Sequence, residues 1–499
     1  MSLFESAELG HSVDDASYKR RVKTLRADLL DAQYDLKELG AFPVIVLING
    51  LDGAGKGETV NLLNEWMDPR HIQTQAFPAP SSEEKQRPPM WRFWRALPPK
   101  GKIGILFGNW YTDLIIRRAA GKGKKAAFGK GIADIQRFER MLADENALIL
   151  KYWFHLSEKG QEKRLKKLAA NPRTAWRVTE HDWDLFKRYK PFVSAAEQTL
   201  RETDTAHAPW MVIDGSDENY RALAVGEHLL TAIRDRIKQH KASAKTAGKR
   251  NAPKVPKKAG DDGRNVLNTL DMSQRLSAKK YEIELEKWQG QLNQLSRHPK
   301  FRERSAVIVF EGMDAAGKGG AIRRVTAALD ARHYKTVPIA APTQEELAQP
   351  YLWRFWRHVP GHGQFVIFDR SWYGRVLVER VEGFCSEADW QRAYGEINDF
   401  EQQLIASGAI VSKFWLSVSA DEQLRRFKER EENRFKRFKI TPEDWRNRDK
   451  WPLYENAVCD MVDRTSTDIA PWHLIAADDK RYARIAILKT LCERIESAL

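Results

Sequence analysis

Short apolar runs alternate with longer amphipathic stretches along the whole chain. The runs are brief and rich in Val, Ile and Phe, which predicts buried β-strands. These runs are 44–48, 103–107, 148–156 and 211–213 in the first half, and 307–310, 336–339, 365–368, 410–416 and 472–475 in the second. Amphipathic helices are predicted at 18–38, 281–297, 421–432 and 482–495. Alternation of strands and helices predicts an α/β fold in which parallel sheets are flanked by helices.

The same pattern occurs twice with a constant offset. Gly50 and Gly312 each follow an apolar run, and they lie 262 positions apart. Three other landmarks keep this offset: residues 91–95 with 353–357, 110–111 with 372–373, and 208–210 with 470–472. A spacing that stays constant over such a length indicates a tandem duplication, and a period of this size indicates whole domains rather than a solenoid.

One segment between the two halves differs in composition. Residues 238–258 contain eight Lys and Arg and no acidic residue, together with Ala, Gly and Pro. Such a segment cannot bury enough apolar surface to offset its chain entropy, which predicts a flexible basic linker. An accessory arm that binds polyanions is the alternative. We therefore expect an N-terminal domain at 1–237, a linker at 238–266 and a C-terminal domain at 267–499.

Composition narrows the class of protein. The 499 residues include 83 Lys and Arg against 68 Asp and Glu, a net charge of +15 that favours a polyanionic ligand. No apolar run is long enough to span a membrane, and the chain does not begin like a secretory signal. The three cysteines, Cys385, Cys459 and Cys492, lack metal-ligand spacing. A reduced, cytoplasmic protein is the expectation.

The first apolar run of the second half leads into a Walker A pattern, Gly312-Met-Asp-Ala-Ala-Gly-Lys318. In such a loop, backbone N–H groups surround a phosphate, the next helix contributes its positive end, and the lysine reaches a phosphate oxygen. The pattern recurs in register at 50–56, which predicts two tandem P-loop NTPase-like domains; a purely structural glycine turn is the alternative. The predicted phosphate-binding loop residues are Gly312, Ala315, Ala316, Gly317, Lys318, Gly319 and Gly320.

The ligands of a metal ion are expected outside the usual position. A Walker A lysine is normally followed by Ser or Thr, whose hydroxyl binds Mg²⁺, but Gly319 follows Lys318 here. Asp314 in the loop and Asp369 at the end of a predicted strand are the candidate ligands. A carboxylate at the carboxyl end of a parallel strand lies close to the phosphate loop. The alternative role for Asp369 is a helix N-cap.

Basic residues that could contact phosphate follow in the second half. Residues 421–439 contain eight Arg and Lys against five acids, which favours a basic helical lid that closes on phosphates and excludes water. A solvated charged surface is the alternative for this segment, and an ordinary ion pair is the alternative for Arg370. The aromatic cluster at 353–357 favours packing over base stacking. The predicted phosphate-contacting cations are Arg370, Arg426, Arg430, Lys436 and Lys439.

The constant offset allows the two halves to be compared position by position. The loop of the first half keeps its aspartate and lysine as Asp52 and Lys56. Other positions differ: Asp369 falls on Phe107, Arg370 on Gly108, Arg430 on Leu168 and Lys436 on Thr174, whereas Arg426 falls on Arg164. Without the strand-end carboxylate, Mg²⁺ would be poorly held. The N-terminal domain is therefore expected to be catalytically weak or inactive, and to act structurally or by binding a polyanion.

Several motifs together resemble the polyphosphate kinase 2 family. They are EGMDAAGKGG at 311–320, FDRSWY at 368–373, KFWLS at 413–417, TPED at 441–444, APW at 470–472 and DDK at 478–480. The resemblance covers nearly all of 281–499 and, in weaker form, 18–236. It implies Mg²⁺-dependent phosphoryl transfer, with Mn²⁺ as an alternative metal, between inorganic polyphosphate and a nucleotide. Fused two-domain members of this kind resemble polyphosphate:AMP phosphotransferases, which make ADP.

The resemblance also implies roles for individual residues. Lys318 would hold phosphates, and Asp314 and Asp369 would bind the metal. Arg370, Arg426 and Arg430 would bind polyphosphate or the transferring group. Positioning and neutralisation of charge would supply most of the catalysis.

Two other functions stay open at this point. An ATP-dependent kinase of nucleotides or small molecules would share the fold, and a non-enzymatic polyanion-binding protein would use the same basic residues. The expected partners are inorganic polyphosphate and AMP, without a membrane or a nucleic acid. A homo-oligomer is left open, because tandem halves can also pack as an internal pseudo-dimer.

Overall fold

The computed structural model describes residues 2–122, 124–247, 265–434, 438 and 440–499. Among these, the chain forms two compact units, each built on one five-stranded parallel sheet. The first unit contains residues 2–80, 92–247 and 344–350, and the second contains residues 81–91, 265–343 and 351–499. The predicted α/β fold with two tandem P-loop domains is confirmed.

The sheet of the first half has the strand order β2-β3-β1-β4-β5. Its strands are β1 (Val44–Gly50), β2 (Ile72–Ala76), β3 (Ile103–Phe107), β4 (Leu148–His155) and β5 (Trp210–Asp214). The helices of this half are α1 (Asp15–Leu39), α2 (Lys56–Trp66), α3 (Ser82–Lys85), α4 (Trp91–Trp94), α5 (Thr112–Ala119), α6 (Lys125–Asp144), α7 (Glu158–Ala170), α8 (Glu180–Phe186), α9 (Tyr189–Thr203) and α10 (Glu218–Ala247).

The sheet of the second half repeats this order as β7-β8-β6-β9-β10. Its strands are β6 (Ser305–Gly312), β7 (Tyr334–Pro338), β8 (Phe365–Asp369), β9 (Ala409–Ser417) and β10 (Trp472–Ala476). The helices of this half are α11 (Ala278–Ser296), α12 (Lys318–Thr326), α13 (Gln344–Leu347), α14 (Trp353–Trp356), α15 (Val378–Glu382), α16 (Glu387–Ala406), α17 (Ala420–Glu432), α18 (Pro442–Asp449), α19 (Trp451–Thr465) and α20 (Lys480–Ala498).

Strand registers confirm the duplication in three dimensions. Val44 pairs with Ile103 in the first sheet, and Ala306 pairs with Phe365 at the equivalent place in the second. The central strands β1 and β6 are buried along nearly their whole length, as expected for strands covered by helices on both faces. The sequence prediction missed β2, because this edge strand reads Ile-Gln-Thr-Gln-Ala and has no run of large apolar residues.

Two short segments do not belong to the unit formed by their own half of the sequence. Residues 81–91 are part of the second unit, and residues 344–350 are part of the first. In the first unit the amide of Lys100 donates to the carbonyl of Ala348 at 2.8 Å. In the second, Nε of Arg87 donates to the carbonyl of Val359 at 3.0 Å. The predicted domains 1–237 and 267–499 are sequential and therefore do not include this exchange of 81–91 and 344–350.

The predicted linker at 238–266 differs from the structure at both of its described ends. Helix α10 continues through 238–247, so this part is helical, and a 3₁₀ turn begins at Val266. Residues 248–264 lie outside the described part of the chain, and the flexible-linker prediction for them stays a prediction.

A buried polar network joins β9, α16 and the segment after β8 in the second unit, and the first unit has an equivalent network. The Lys413 ammonium lies 2.7 Å from Oε2 of Glu401 and 2.8 Å from the Tyr373 hydroxyl, and all three side chains are buried. In the first unit Lys151 makes the same contacts with Glu139 and Tyr111, at 2.9 and 3.0 Å. This network fixes Tyr373, and thereby the segment that follows β8.

No helix in the described residues has the length and apolar character required to cross a membrane.

Candidate functional site: the P-loop of the second domain

The P-loop lies at the carboxyl end of β6, the central strand of its sheet, and leads directly into α12. Gly312 has φ of 150°, and a Cβ at this position would lie 2.6 Å from the carbonyl oxygen of Leu416, so only glycine fits against β9. Ala315 has φ of 61° although it carries a side chain. Left-handed backbone in a non-glycine residue is uncommon and concentrates at functional sites. Gly317 forms the left-handed N-cap of α12.

Lys318 begins α12 and folds back over the loop. Its ammonium donates to the carbonyl oxygens of Gly312 and Met313 at 2.6 and 3.3 Å. Burial lowers the pKa of Lys318, and the nearby carboxylate of Asp314 opposes this effect. The lysine is therefore held at the loop, with its charge near the place where the predicted phosphate would lie.

The two carboxylates predicted to bind a metal differ in their hydrogen bonding. Asp314 accepts hydrogen bonds from Nη2 of Arg370 at 3.1 Å and from Nδ2 of Asn447 at 2.9 Å. Asp369 ends β8, and within the described residues its carboxylate accepts no hydrogen bond. The N-cap alternative for Asp369 is excluded, because Ser371 caps the following 3₁₀ turn by accepting from the amide of Tyr373.

Arg370 is brought to the loop by an unusual backbone. Its φ is 63°, and its amide donates to the carbonyl of Phe310, the residue of β6 that pairs with Asp369. The guanidinium pairs with Asp314 and is about half exposed, at 48%. Arg370 therefore forms an ion pair in this structure, which was the alternative to a phosphate contact. Its partner is the aspartate of the P-loop. The exposed edge of the guanidinium can still reach a ligand.

Glu311 is a site residue that the sequence prediction did not select. Its carboxylate is 5% exposed, lies at the end of β6 and accepts a 2.7 Å hydrogen bond from the hydroxyl of Ser371. Burial raises the pKa of Glu311, although the hydrogen bond from Ser371 and the charge of Lys318 act in the opposite direction. The comparison of the two halves could have identified Glu311. The first domain has Asn49 at the position of Glu311 and Asn109 at the position of Ser371, so both residues differ between the domains.

Replacing Glu311 by Gln is expected to stabilise the protein more at about pH 8 than in the acidic range. A raised pKa in the folded state means that Glu311 adds stability below its unfolded pKa and loses this contribution as pH rises through the folded pKa. Gln does not titrate and keeps an acceptor for Ser371. Urea unfolding at several pH values measures the difference in the free energy of unfolding, and a difference that stays constant with pH would contradict the assignment.

Arg426 is placed differently from the prediction that it contacts phosphate. It is 2% exposed, and Nη1 donates to the carbonyls of Ala315 and Ala316 at 2.9 and 3.2 Å. Nη2 donates to the carbonyls of Ala477 and Asp478, and Nε donates to Glu422. All five N–H groups are therefore used. We correct its role to that of a structural link that joins the P-loop to the end of β10.

The remaining predicted phosphate ligands have mixed outcomes. Arg430 lies one turn beyond Arg426 in α17, in the last turn of the helix. The amides of Ala316 and Gly320 donate to the carbonyls of Met313 and Gly317, so these two N–H groups are already used inside the loop. Lys436 and Lys439 lie outside the described residues, and their assignment stays a prediction. The aromatic cluster of α14 is packed in the core, with Trp353, Phe355 and Trp356 all buried.

A cavity lies beside the P-loop and is lined in part by Gln423 of α17 and Asn447 of α18. Helix α18 contributes Asn447, which holds Asp314, and Arg448, which donates to the side chain of Gln423 in α17. The other lining residues combine apolar and aromatic side chains with the site carboxylates; among them are Glu311, Met313, Leu377, Trp415, Trp451 and Tyr454. The described residues include no group of three or more His, Cys, Asp or Glu side chains placed to hold a metal.

The P-loop of the first domain has the same course but different surroundings. The ammonium of Lys56 lies 3.1 Å from Oδ1 of Asp52 and 6.0 Å from the ring centroid of Phe107, the counterpart of Asp369. Asn49 replaces Glu311 and Gly108 replaces Arg370. The first domain therefore keeps the loop aspartate and lysine without the strand-end charges.

Comparison with known proteins agrees with the arrangement of both domains. The profile of the polyphosphate kinase 2 family matches residues 12–241 and 275–499. A protein of Pseudomonas aeruginosa named polyphosphate:AMP phosphotransferase is 56% identical over 496 residues, which are 99% of each chain. A protein of Acinetobacter johnsonii with the same name is 41% identical over 480 residues, 95% of this chain and 96% of its own.

A solved structure shows the same fold over the full length. The crystal structure described as a putative polyphosphate kinase 2 from Pseudomonas aeruginosa has a TM-score of 0.89 and 54% identity, and the match covers 99% of both chains. Together with the match of the family profile to both halves, this likeness settles the classification. The chain belongs to the polyphosphate kinase 2 family.

Proposed function

We propose that this protein transfers a phosphoryl group from inorganic polyphosphate to AMP and so forms ADP. The two full-length relatives described above carry the name of this activity, and the identity to them extends over both domains. The observation in the structure that supports it is the convergence of Lys318, Asp314, Asp369 and Arg370 at one P-loop. Lysine and arginine at a phosphate loop stabilise the charge of a transferring phosphoryl group.

The second domain is the proposed site of catalysis. Its loop joins Asp314 to Arg370 through a direct ion pair of 3.1 Å, and Asp369 stands at the end of the neighbouring strand. In the first domain, Phe107 and Gly108 occupy the positions of Asp369 and Arg370. Phosphoryl transfer depends on neutralising developing negative charge, so the first domain lacks the side chains that this chemistry requires.

The donor set of the site fits Mg²⁺, with Mn²⁺ as the alternative. Mg²⁺ is usually bound through one or two carboxylates, with phosphate oxygens and waters as the other ligands. Asp314 and Asp369 would hold the ion, and the carboxylate of Asp369 is available for this because none of the described donors bonds to its side-chain oxygens. When bound, the ion would neutralise phosphate oxygens. Arg370 would then bind a phosphate oxygen in place of Asp314. Lys318 would likewise bind a phosphate oxygen in place of the loop carbonyls.

The acceptor nucleotide is proposed to occupy the cavity beside the loop. Trp451 and Tyr454 supply aromatic surface for a base, and Asn447 supplies an amide. Closure by α17 and α18 would keep water away from the phosphoryl group, which otherwise competes as an acceptor. The three cysteines are free, which supports a cytoplasmic location for the reaction.

The test is a product assay with purified protein, MgCl₂, long-chain polyphosphate and a panel of nucleotides, analysed by chromatography. Formation of ADP from AMP that depends on polyphosphate is the expected result. Activity with ATP as the only donor would favour an ATP-dependent kinase instead. Absence of transfer from either donor, together with binding of polyphosphate, would favour the non-enzymatic alternative.

A further inference from the structure

The P-loop of the first domain is bordered by three arginines that meet at one carboxylate. Glu58 lies in the first turn of α2, directly after the loop. Its carboxylate is 2.8 Å from Nη2 of Arg221, 3.1 Å from Nη2 of Arg164 and 3.3 Å from Nη1 of Arg177. The arginines come from three separate parts of the fold, α10, α7 and the 3₁₀ turn at Ala175–Arg177.

Arg221 is the most buried of the three arginines in this cluster. It is 2% exposed, and it also donates to the carbonyl of Gly215 at 3.0 Å and to the hydroxyl of Thr59 at 3.2 Å. Burial lowers the pKa of Arg221, and the charge of Glu58 opposes this. A guanidinium that is removed from water requires a nearby anion. The structure thus provides a buried cation beside a phosphate-type loop, with a protein carboxylate as its partner.

The second domain has a different arrangement at the equivalent place. Glu58 falls on Gly320 and Arg221 falls on Ala483, so neither charged group has a counterpart at its own position. A Cβ added to Gly55 would lie 2.1 Å from the guanidinium carbon of Arg221, whereas one added to its counterpart Gly317 would meet no described atom within 4 Å. In the second domain the guanidinium of Arg484 lies near Gly320 instead, where a Cβ would be 3.1 Å from its Nη2. The pairing of an arginine with a carboxylate at this place is therefore a feature of the first domain.

The arginine donors of this cluster outnumber the carboxylate oxygens that Glu58 offers them. Three guanidinium groups share its one carboxylate, and Glu218 and Asp217 add negative charge near Arg221. The side chains of Arg164, Arg177 and Glu58 are 27%, 44% and 35% exposed, so a ligand can reach them from solvent. Arginine forms bidentate hydrogen bonds with phosphate as it does with carboxylate. A linked phosphate chain carries more charge than one carboxylate and would compete with Glu58 for the same donors.

We propose that the first domain binds a chain of linked phosphates at Arg164, Arg177 and Arg221 without transferring it, and that Glu58 occupies this site when no ligand is bound. The ligand class is condensed phosphate, either an inorganic chain or the phosphate chain of a nucleotide. The proposal concerns binding alone and does not depend on the transfer reaction in the second domain. Glu58 acts as an internal competitor that sets the affinity.

The test is calorimetric titration of the full-length protein with tripolyphosphate at fixed ionic strength and without AMP. The wild type is expected to bind two tripolyphosphates per chain, one at each P-loop. The variant R164A/R177A is expected to bind one. The variant E58Q weakens the competitor by removing its negative charge, and it is expected to bind tripolyphosphate at the first-domain site at least about tenfold more tightly, a change of about 1.4 kcal/mol.

The control variant is R21A/R234A, which removes two exposed arginines that pair with Glu227 and Asp28 on the same domain. It should bind like the wild type, which separates a local effect from a change in net charge. A parallel titration with ATP distinguishes the two sources: loss of an ATP site in R164A/R177A assigns the cluster to nucleotide phosphates as well, whereas loss of only the tripolyphosphate site assigns it to inorganic chains.

Two results would overturn the proposal. One is an unchanged number of tripolyphosphate sites in R164A/R177A, measured on protein whose thermal unfolding resembles that of the wild type. The other is an unchanged affinity in E58Q. The second result decides the matter even where the double variant fails to fold, because Gln keeps the size and the hydrogen-bonding oxygen of Glu58.

Discussion

Replacement of Asp369 by Asn is expected to lower the rate of ADP formation at least about a hundredfold. The substitution keeps the size of the side chain but removes the strand-end charge, which is the clearest difference between the two P-loops. Lys318→Ala is expected to cause a loss of similar size, because it removes the ammonium that is held at the carbonyl of Gly312 inside the P-loop. Initial rates with saturating AMP and polyphosphate, determined by chromatography, measure both effects.

The duplication supplies a matched control for this experiment. Lys56 has the same place in the first P-loop and the same contact with a glycine carbonyl, at 2.6 Å for both lysines. Lys56→Ala is expected to leave the rate of ADP formation within about twofold, since Phe107 stands where a metal ligand would be required. Comparable losses from Asp369→Asn and Lys56→Ala would contradict a single catalytic site, provided that both variants unfold at the temperature of the wild type.

The features that could be predicted from sequence are those set by local pattern and by repetition. Buried strands such as β6 and β8 contain continuous apolar runs, and the P-loop follows the first of them. The edge strand β2 was missed because its sequence, Ile-Gln-Thr-Gln-Ala, alternates with polar residues and contains no apolar run. The constant offset between the halves identified the loss of Asp369 in the first domain without any knowledge of the structure.

The direction in which a charged side chain points could not be predicted. Arg426 and Arg430 are the same residue type on one helix, yet Arg426 is directed inward to four carbonyl oxygens. A guanidinium binds carbonyls and phosphates with the same N–H groups, so residue type alone does not distinguish the two roles. The cluster at Glu58 was missed for a related reason, since Arg221 is distant in sequence from the loop that it contacts.

The buried network of Lys413, Glu401 and Tyr373 is present in both domains, unlike the charges at the strand ends. Lys413, Glu401 and Tyr373 have the counterparts Lys151, Glu139 and Tyr111, and the corresponding distances differ by at most 0.2 Å. The first domain therefore kept this network while its strand-end charges changed. Retention in a domain without the catalytic charges indicates that the network serves the fold rather than the chemistry.

Lys413→Met is accordingly expected to destabilise the protein by about 3–5 kcal/mol, because it leaves Glu401 buried without its counter-charge. Burial already raises the pKa of Glu401, and loss of Lys413 raises it further, so the destabilisation should decrease as pH falls and the carboxyl takes up a proton. Lys151→Met should cost a similar amount in the first domain, and urea unfolding of the full chain measures both. The double variant Lys413→Met/Glu401→Gln removes the unpaired charge and should recover part of the loss. If the double variant is no more stable than Lys413→Met, the cost arises from lost packing and not from the buried carboxylate.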